Sequence, residues 1–504
     1  MHQTSKPKSV DSDCFIQKQV AASELIEQSK ALFDQGFRIA LISAQDYKDQ
    51  CYISYFFLKG NPDIRKELIV SIDKSNRQVP SLGAISFSAS RFEREFYDLF
   101  GILPLNHPFL RPLVFHGNWP ADWHPMAFGA SEKPSTTCGP YEFPFVSVEG
   151  DGIFEVPVGP IHAGLIEPGH FRFSVVGETI VKMKARLWYL HKGIEKLFEG
   201  KTIQEGLKLS ELISGDSAVA HSLAFMLALE DCLNSKVDSD VLVGRAQLLE
   251  LERIYNHITD IGAMCNDVGY SMANSYAQIL KEELLNLNLQ ITGHRLLRGG
   301  IKYQQKSTNY EVDSNQIKKL TEQFSKLIDL IDQNSNILDR FVGTAKLSAT
   351  EAKDLNVLGV VARASSLSVD SRYENPFVIK TPGISPITEQ SGDVYSRYRV
   401  RVEEVYESLN FINNPEVANK VTVAYNSGTT KDFVRCGFGI VEGFRGTVVS
   451  RIELDSNNTI KRYKIVDPSF LNWPALSVAL KDTIIPDFPL ANKSFNLSYS
   501  GNDL

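Results

Sequence analysis

The stretch VLVGRAQLLELERIYNHITDIGAMCNDVGYSMANSYAQILKEELLNLNLQITG, residues 241–293, decides the fold. Apolar residues recur along it at 3.6-residue spacing for many turns, the period at which side chains return to one face of an α-helix. Such a stripe has to be buried against neighbours, so the stretch predicts packed core helices of a bundle. AVAHSLAFMLALEDCL at 218–233 and NQIKKLTEQFSKLIDLIDQNSNILDRFV at 315–342 extend the same pattern on either side. Upstream, GIFEVPVGPIHAG (152–164) and HFRFSVVGETIVKMKARLWYL (170–190) read as strands or a hairpin.

Nearer the start the period changes. AASELIEQSKALFD (21–34) has helical spacing, whereas FRIALISAQD, CYISYFFL and ELIVSID between residues 37 and 73 are short β-rich runs separated by polar turns. They predict an α/β module over 1–128. GASEKPSTTCGP (129–140), rich in Gly, Pro, Ser and Thr, predicts a linker over 129–144, with a second, mainly helical domain over 145–504. The last hundred residues read as β-rich and turn-rich. The expected class is α+β, an α/β module fused to a mainly helical domain with peripheral β-structure.

At 504 residues the chain exceeds a single core. A net charge of -7 gives no reason to expect a nucleic-acid partner. The six cysteines form no CxxC pair and no disulfide framework, which suits a reducing cytosol. The N-terminus lacks the apolar stretch of a secretory signal, and no apolar run approaches the roughly 18 residues of a membrane span. The expected state is soluble or peripheral.

Two kinds of motif carry a resemblance. FEREFYDLFGILPLNHPFLRPLVFHGNWPADWHP, 92–125, contains the cluster Glu93, Arg94 and Glu95, which by itself reads as a surface ion-pair network of little energetic value. EREFYDLFGI followed by HPFLR resembles the signature of the 30-kDa subunit of respiratory complex I, which implies a structural, docking role for this module. VPVGPIHAGLIEPGHFRFSVVGE (156–178), YLHKGIEKLFEG (189–200), ELERIYNHITDIGAMCNDVGY (250–270), VVARASSLSVDSRYENPF (360–377) and GIVEGFRGTVVSRI (439–452) resemble the large subunit of group 4 membrane-bound nickel–iron hydrogenases. That subunit is homologous to the 49-kDa quinone-site subunit of complex I.

Hydrogenases of this superfamily hold nickel and iron by two CxxC pairs, one after a glutamate and one after an Asp-Pro. Here the first place reads ELISGDSAVAH (211–221) and the second DPSFLN (467–472). Ser214, Ser217, Ser469 and Asn472 therefore stand where the resemblance expects thiolates. Low-valent metal centres need soft anionic sulfur, which hydroxyls and an amide do not supply. The resemblance implies no metal held by this chain, and a former metal cavity that in complex I became a quinone pocket.

Candidate residues follow from the same alignment. Glu211 matches the proton-relay glutamate of hydrogenases, and His162 the histidine of complex I's Gly-Pro-x-His segment. His170 lies on the same loop, Arg445 in the Glu-x-x-Arg-Gly segment. The tyrosine that complex I presents to quinone falls at Gly215, leaving Asp216, Ser217 and His221 as polar alternatives. Glu442 and Arg445 are expected to form a buried ion pair, as are Asp370 and Arg372. The four substituted positions are expected to hydrogen-bond one another, and Cys232 and Cys265 to be packing residues.

The implied setting is the cytoplasmic side of the plasma membrane. The partners would be an iron–sulfur small subunit with a 4Fe–4S cluster and antiporter-like membrane subunits. No cofactor is expected on the chain itself, apart from a quinone in the cavity. Two functions compete: electron transfer to quinone or another small acceptor coupled to ion movement, and non-redox coupling within an ion-translocating complex.

Overall fold

The computed structural model describes residues 15–504 apart from 121, 132–142, 165, 306–309, 311, 379–385 and 414–434. Most of the expected linker, with Cys14 and Cys138, lies outside the described residues.

The first module is a four-stranded sheet with two principal helices. Strand β1 (Phe15–Gln19) precedes helix α1 (Leu25–Asp34), then β2 (Arg38–Asp46), β3 (Cys51–Lys59) and β4 (Ile64–Ser71) follow in an antiparallel run. The order is β1-β4-β3-β2, with β1 parallel to β4. A short pair, β5 (Gln78–Pro80) and β6 (Leu103–Leu105), brackets helix α2 (Phe87–Phe100). β3 is buried at every position but its last because both its faces are covered. Successive strand residues point to opposite faces. Phe57 accordingly meets Phe33 of α1, with ring centroids 5.6 Å apart, and Phe56 stacks on Phe438 of the second domain at 3.9 Å.

The second domain opens with the meander β7 (Ile153–Val158), β8 (His170–Val176) and β9 (Thr179–Arg186). Helices α3 (Ile194–Phe198), α4 (Ile203–Ser210), α5 (Ala218–Leu233), α6 (Ser239–Asp267), α7 (Ser271–Thr292) and α8 (Ser314–Asp332) follow. The stretch 241–293 is thus two helices, broken at 268–270 where Gly269 adopts a φ of 84°. After the shorter α9 (Ser335–Phe341), α10 (Ala349–Asp354), α11 (Gly359–Ala364) and α12 (Ser371–Glu374), helix α13 (Val394–Asn413) packs on α6 to complete the bundle.

A three-stranded antiparallel sheet, β10 (Cys436–Gly443), β11 (Gly446–Leu454) and β12 (Ile460–Val466), lies between bundle and first module. Its contact with α5 depends on two glycines. A Cβ on Gly437 would lie 2.1 Å from the Ala228 carbonyl oxygen, and one on Gly439 1.9 Å from that of Ala224. Only a strand with no side chain there lets the two backbones approach so closely.

Two expectations are corrected. The last hundred residues are not all β and turn, because after β12 the chain forms α14 (Pro468–Ala479), α15 (Phe488–Phe495) and α16 (Tyr499–Asp503). Asp467 caps α14, accepting from the Ser469 N–H at 2.8 Å, and Pro468 occupies the first helical position, where no N–H is needed. The cluster at 93–95 is not a surface network. Glu93 is fully buried and accepts from Ser81 Oγ and the Leu82 N–H, while Arg94 donates to the carbonyls of Arg111 and Pro112. Glu95 accepts from Lys464 Nζ at 2.7 Å and so ties α2 to β12. This module docks onto its own chain. Cys232 and Cys265 are buried, as expected. No helix among the described residues is long and apolar enough to cross a membrane.

Candidate functional site

The two places where the resemblance expects metal-binding pairs come together at the starts of two helices. Ser214 and Ser217 lie in the turn leading into α5, and Ser469 and Asn472 in the first turns of α14. Beside Ser214 and Ser217 sits Asp216. Its carboxylate takes a two-pronged contact from Arg445, with Nη1 at 2.8 Å and Nη2 at 2.6 Å, and accepts from Ser214 Oγ at 2.9 Å and Ser217 Oγ at 3.3 Å. The burial around Asp216 pushes its pKa up. Arg445 and the two hydroxyls outweigh that and hold the carboxyl well below the usual carboxylate range. Arg445 also donates Nη1 to Ser217 Oγ at 3.2 Å and Nε to the Asn496 carbonyl.

The C-terminal segment closes the other side. Ser498 Oγ accepts from the Gly501 N–H at 2.9 Å and lies 2.8 Å from Ser214 Oγ, whose own hydrogen goes to Asp216. The proton between the two hydroxyls therefore belongs to Ser498, and the donors run Ser498 to Ser214 to Asp216. The Ser498 N–H donates to Ser469 Oγ at 2.9 Å, and the Ser498 carbonyl accepts from Trp473 Nε1 at 3.3 Å. Asn472 spends both ends of its amide on Leu358, accepting from its N–H at 2.8 Å and donating to its carbonyl at 3.1 Å. The four positions are thus satisfied through Ser498, Asp216, Arg445 and Leu358, not by bonding one another as the sequence suggested. The C-terminal segment, through Ser498, links the two helix starts.

His221 on α5 faces Asp467 at 3.0 Å, and its Nδ1 is buried without a hydrogen-bond partner. Burial raises the Asp467 carboxyl, but the His221 contact and Ser469 bring it below its ordinary value. Asp370 and Arg372 are partners as expected, with Arg372 Nη2 2.6 Å from Asp370 Oδ2. Glu442 and Arg445 are not. Glu442 pairs with Arg363 at 2.8 Å and accepts from Thr447 Oγ1 at 2.7 Å, all fully buried or nearly so. Glu442 belongs to β10 and Arg445 to the tight turn after it, so their side chains reach different partners.

The remaining candidates lie at the rim. Glu211 ends α4 and accepts from the Gly299 N–H at 2.6 Å, and burial raises its carboxyl against that bond and the nearby Arg298 charge. Gly215 is exposed, with Arg298 Nη2 3.8 Å from where a Cβ would stand. His162 Nε2 lies 2.8 Å from the Gly169 carbonyl, and His170 Nδ1 3.2 Å from that of Gly159, so both rings brace their own loop. That loop reaches the site indirectly: Glu167 accepts from the Ser500 N–H, and Ser500 Oγ donates to the Ile213 carbonyl.

Glu252 escaped the sequence reading. Fully buried on α6, it accepts the N–H groups of Val219 and Ala220 at 2.7 and 3.0 Å, the free donors of α5's first turn. Burial pushes it up to about 8 despite those bonds, with the Asp216 charge adding to the rise. Asn256, one turn on, donates to the Asp216 carbonyl at 2.9 Å. The i, i+4 spacing of Glu252 and Asn256 within a continuous apolar helix was the available signal. Among the described residues no three His, Cys, Asp or Glu side chains converge to hold a metal ion.

Comparisons with known proteins agree with the two-part architecture. Residues 18–129 match the family "Respiratory-chain NADH dehydrogenase, 30 Kd subunit", and residues 267–422 match "Respiratory-chain NADH dehydrogenase, 49 Kd subunit". Formate hydrogenlyase subunit 5 of Escherichia coli (strain K12) is 29% identical over 86% of this chain and 78% of its own length. Hydrogenase-4 component G of the same organism is 28% identical over 86% and 77%. The fused C/D polypeptide of NADH-quinone oxidoreductase from Phocaeicola vulgatus is 26% identical over 76% and 79%. The chain therefore fuses a domain matching the 30-kDa subunit family of complex I to one matching its 49-kDa subunit family, and its homologues are hydrogenase-type large subunits and fused C/D polypeptides.

Proposed function

We propose that this chain is the large subunit of a membrane-associated oxidoreductase complex that works without a nickel–iron site. In this reading it passes electrons from a 4Fe–4S cluster of a partner subunit to quinone or another small acceptor, coupled to ion translocation. The relatives support the coarser statement, a subunit of a multisubunit complex of the hydrogenase and complex I type. The observation that carries the finer one is the Asp216–Arg445 pair bound to Ser214 and Ser217, with Ser469 tied to the Ser498 N–H. Those hydroxyls and the Asn472 amide are neutral, hard and committed to hydrogen bonds, so the donor set does not fit nickel and iron. The rim of Glu211, Gly215, Asp216 and Arg298 is where an acceptor would meet the chain. The Asp216 side chain is 42% exposed there, and the raised Glu211 carboxyl is suited to proton delivery. The complex would sit on the cytoplasmic side of the membrane beside antiporter-like subunits.

A second reading, a non-redox coupling role, is favoured by one observation. No phenol stands at Gly215, and the polar cluster behind it is satisfied by the chain itself. Metal analysis of the complex purified with its partners is the first test. Iron without nickel is expected, and stoichiometric nickel on this chain would overturn the proposal. Glu211→Gln then separates the two readings, because glutamine keeps the acceptor for the Gly299 N–H and removes the titrating group. Acceptor reduction should fall steeply if electrons pass here, whereas under the coupling reading only assembly or ion transport can change.

A further inference from the structure

A cavity of about 590 Å³ opens between the aromatic end of the first module and residues 188–197 and 503–504. That volume lies within the range of small-molecule sites, roughly 300–1,000 Å³. Three of the chain's four tryptophans line it, Trp119, Trp123 and Trp188, while the fourth, Trp473, is buried against Ser498. Phe115, Trp119 and Trp123 form a stack of nearly parallel rings, Phe115 to Trp119 at 5.2 Å and 17°, Trp119 to Trp123 at 5.0 Å and 10°. Both indoles of the stack are only partly buried, so their surface is available to a further flat ring.

One polar group on the wall sets what that ring must carry. His191 lines the cavity with its Nδ1 2.7 Å from the Asp503 carbonyl oxygen. A carbonyl only accepts, so the hydrogen is on Nδ1. Burial keeps the imidazole below the usual histidine range, which leaves the ring neutral and Nε2 a bare lone pair. The nearby Asp503 carboxylate is already engaged by the Leu190 N–H at 2.9 Å and by Asn502. A ligand seated on the indoles is therefore met by an acceptor and has to supply a donor.

We infer that this cleft binds a phenolic ring, a planar aromatic ligand presenting an O–H at its edge to His191 Nε2 while its face lies on the Trp119–Trp123 stack. The site is separate from the Asp216 cluster, and its occupancy does not depend on the electron-transfer reading above. Calorimetric titration of the purified full chain with 1-naphthol, and with 1-methoxynaphthalene as the same ring without a donor, tests it. Naphthol should bind saturably at one site, and the methoxy compound about tenfold more weakly, the value of one hydrogen bond. His191→Asn keeps an N–H for the Asp503 carbonyl but removes Nε2, and should erase the difference between the two compounds. Trp123→Ala should weaken both by at least about tenfold. Equal affinities in the native chain, no saturable naphthol binding, or discrimination that survives His191→Asn would each overturn the inference.

Discussion

Arg445 illustrates how much a single side chain organises. It neutralises Asp216, touches Ser217 and holds the Asn496 carbonyl, so it joins the start of α5 to the C-terminal segment. Arg445→Met leaves that carboxylate without its partner. Because the Asp216 edge is solvated, the expected cost at neutral pH is about 1–3 kcal/mol rather than that of a fully buried ion pair. The pH dependence follows from the depressed carboxyl of Asp216. A folded pKa below the unfolded value of about 3.9 means the pair's contribution is complete above that value and is lost as pH falls toward the folded pKa. The stability gap between native and Arg445→Met chains, measured by urea unfolding, should be constant from pH 7 to about 5 and shrink below about 4. A gap that stays unchanged down to pH 3 would show that Asp216 is not its source.

At the scale of elements, α5 is a helix buried on nearly every face, and it owes its position to what surrounds it. Glu252 satisfies its first turn, and Gly437 and Gly439 of β10 let its backbone lie directly against the sheet. Gly439→Ala would drive a methyl group into the Ala224 carbonyl, and neither backbone can yield without separating helix from strand. The expected loss is about 3 kcal/mol or more, in the range of severe overpacking. Thermal unfolding of the variant beside Gly177→Ala checks this, since a methyl at Gly177 would meet nothing within 4 Å and the residue has a positive φ of 59°. That control should lose only about 1 kcal/mol from backbone strain.

At the scale of the whole molecule, two modules share buried charge. Lys464 of β12 meets both Glu95 of α2 and Glu195 of α3, and Arg451 of β11 meets Glu67 of β4 at 2.8 Å. Such pairs fix register more than they add stability, but breaking one strands a charge in a dry interface. Lys464→Met should therefore cost about 3–5 kcal/mol, and the double variant Lys464→Met with Glu95→Leu should regain part of it. Guanidinium unfolding of the single and double variants measures both. A double variant no more stable than the single one would mean that Glu95 is not the stranded charge.

Sequence alone gives most of the elements and the two resemblances, because hydrophobic period is local and the long motifs at 92–125 and 156–178 survive as words. It also gives the four positions where the resemblance expects thiolates, since their i, i+3 spacing is retained. It could not tell that Glu93 and Glu95 are buried, because a charged triplet on one turn looks the same under solvent or under β12. Nor could it pair Asp216 with Arg445 across 229 positions, or assign Glu442 to Arg363, 79 positions away. Those choices are made by which surfaces meet when the helix starts, the β10–β11 hairpin and the C-terminal segment converge. Glu252 makes the same point: a carboxylate at 252 becomes a cap for α5 only when the bundle closes and brings the α5 donors to it. Local pattern fixes which elements form, whereas partner choice among buried charges depends on desolvation, which exists only in the packed molecule.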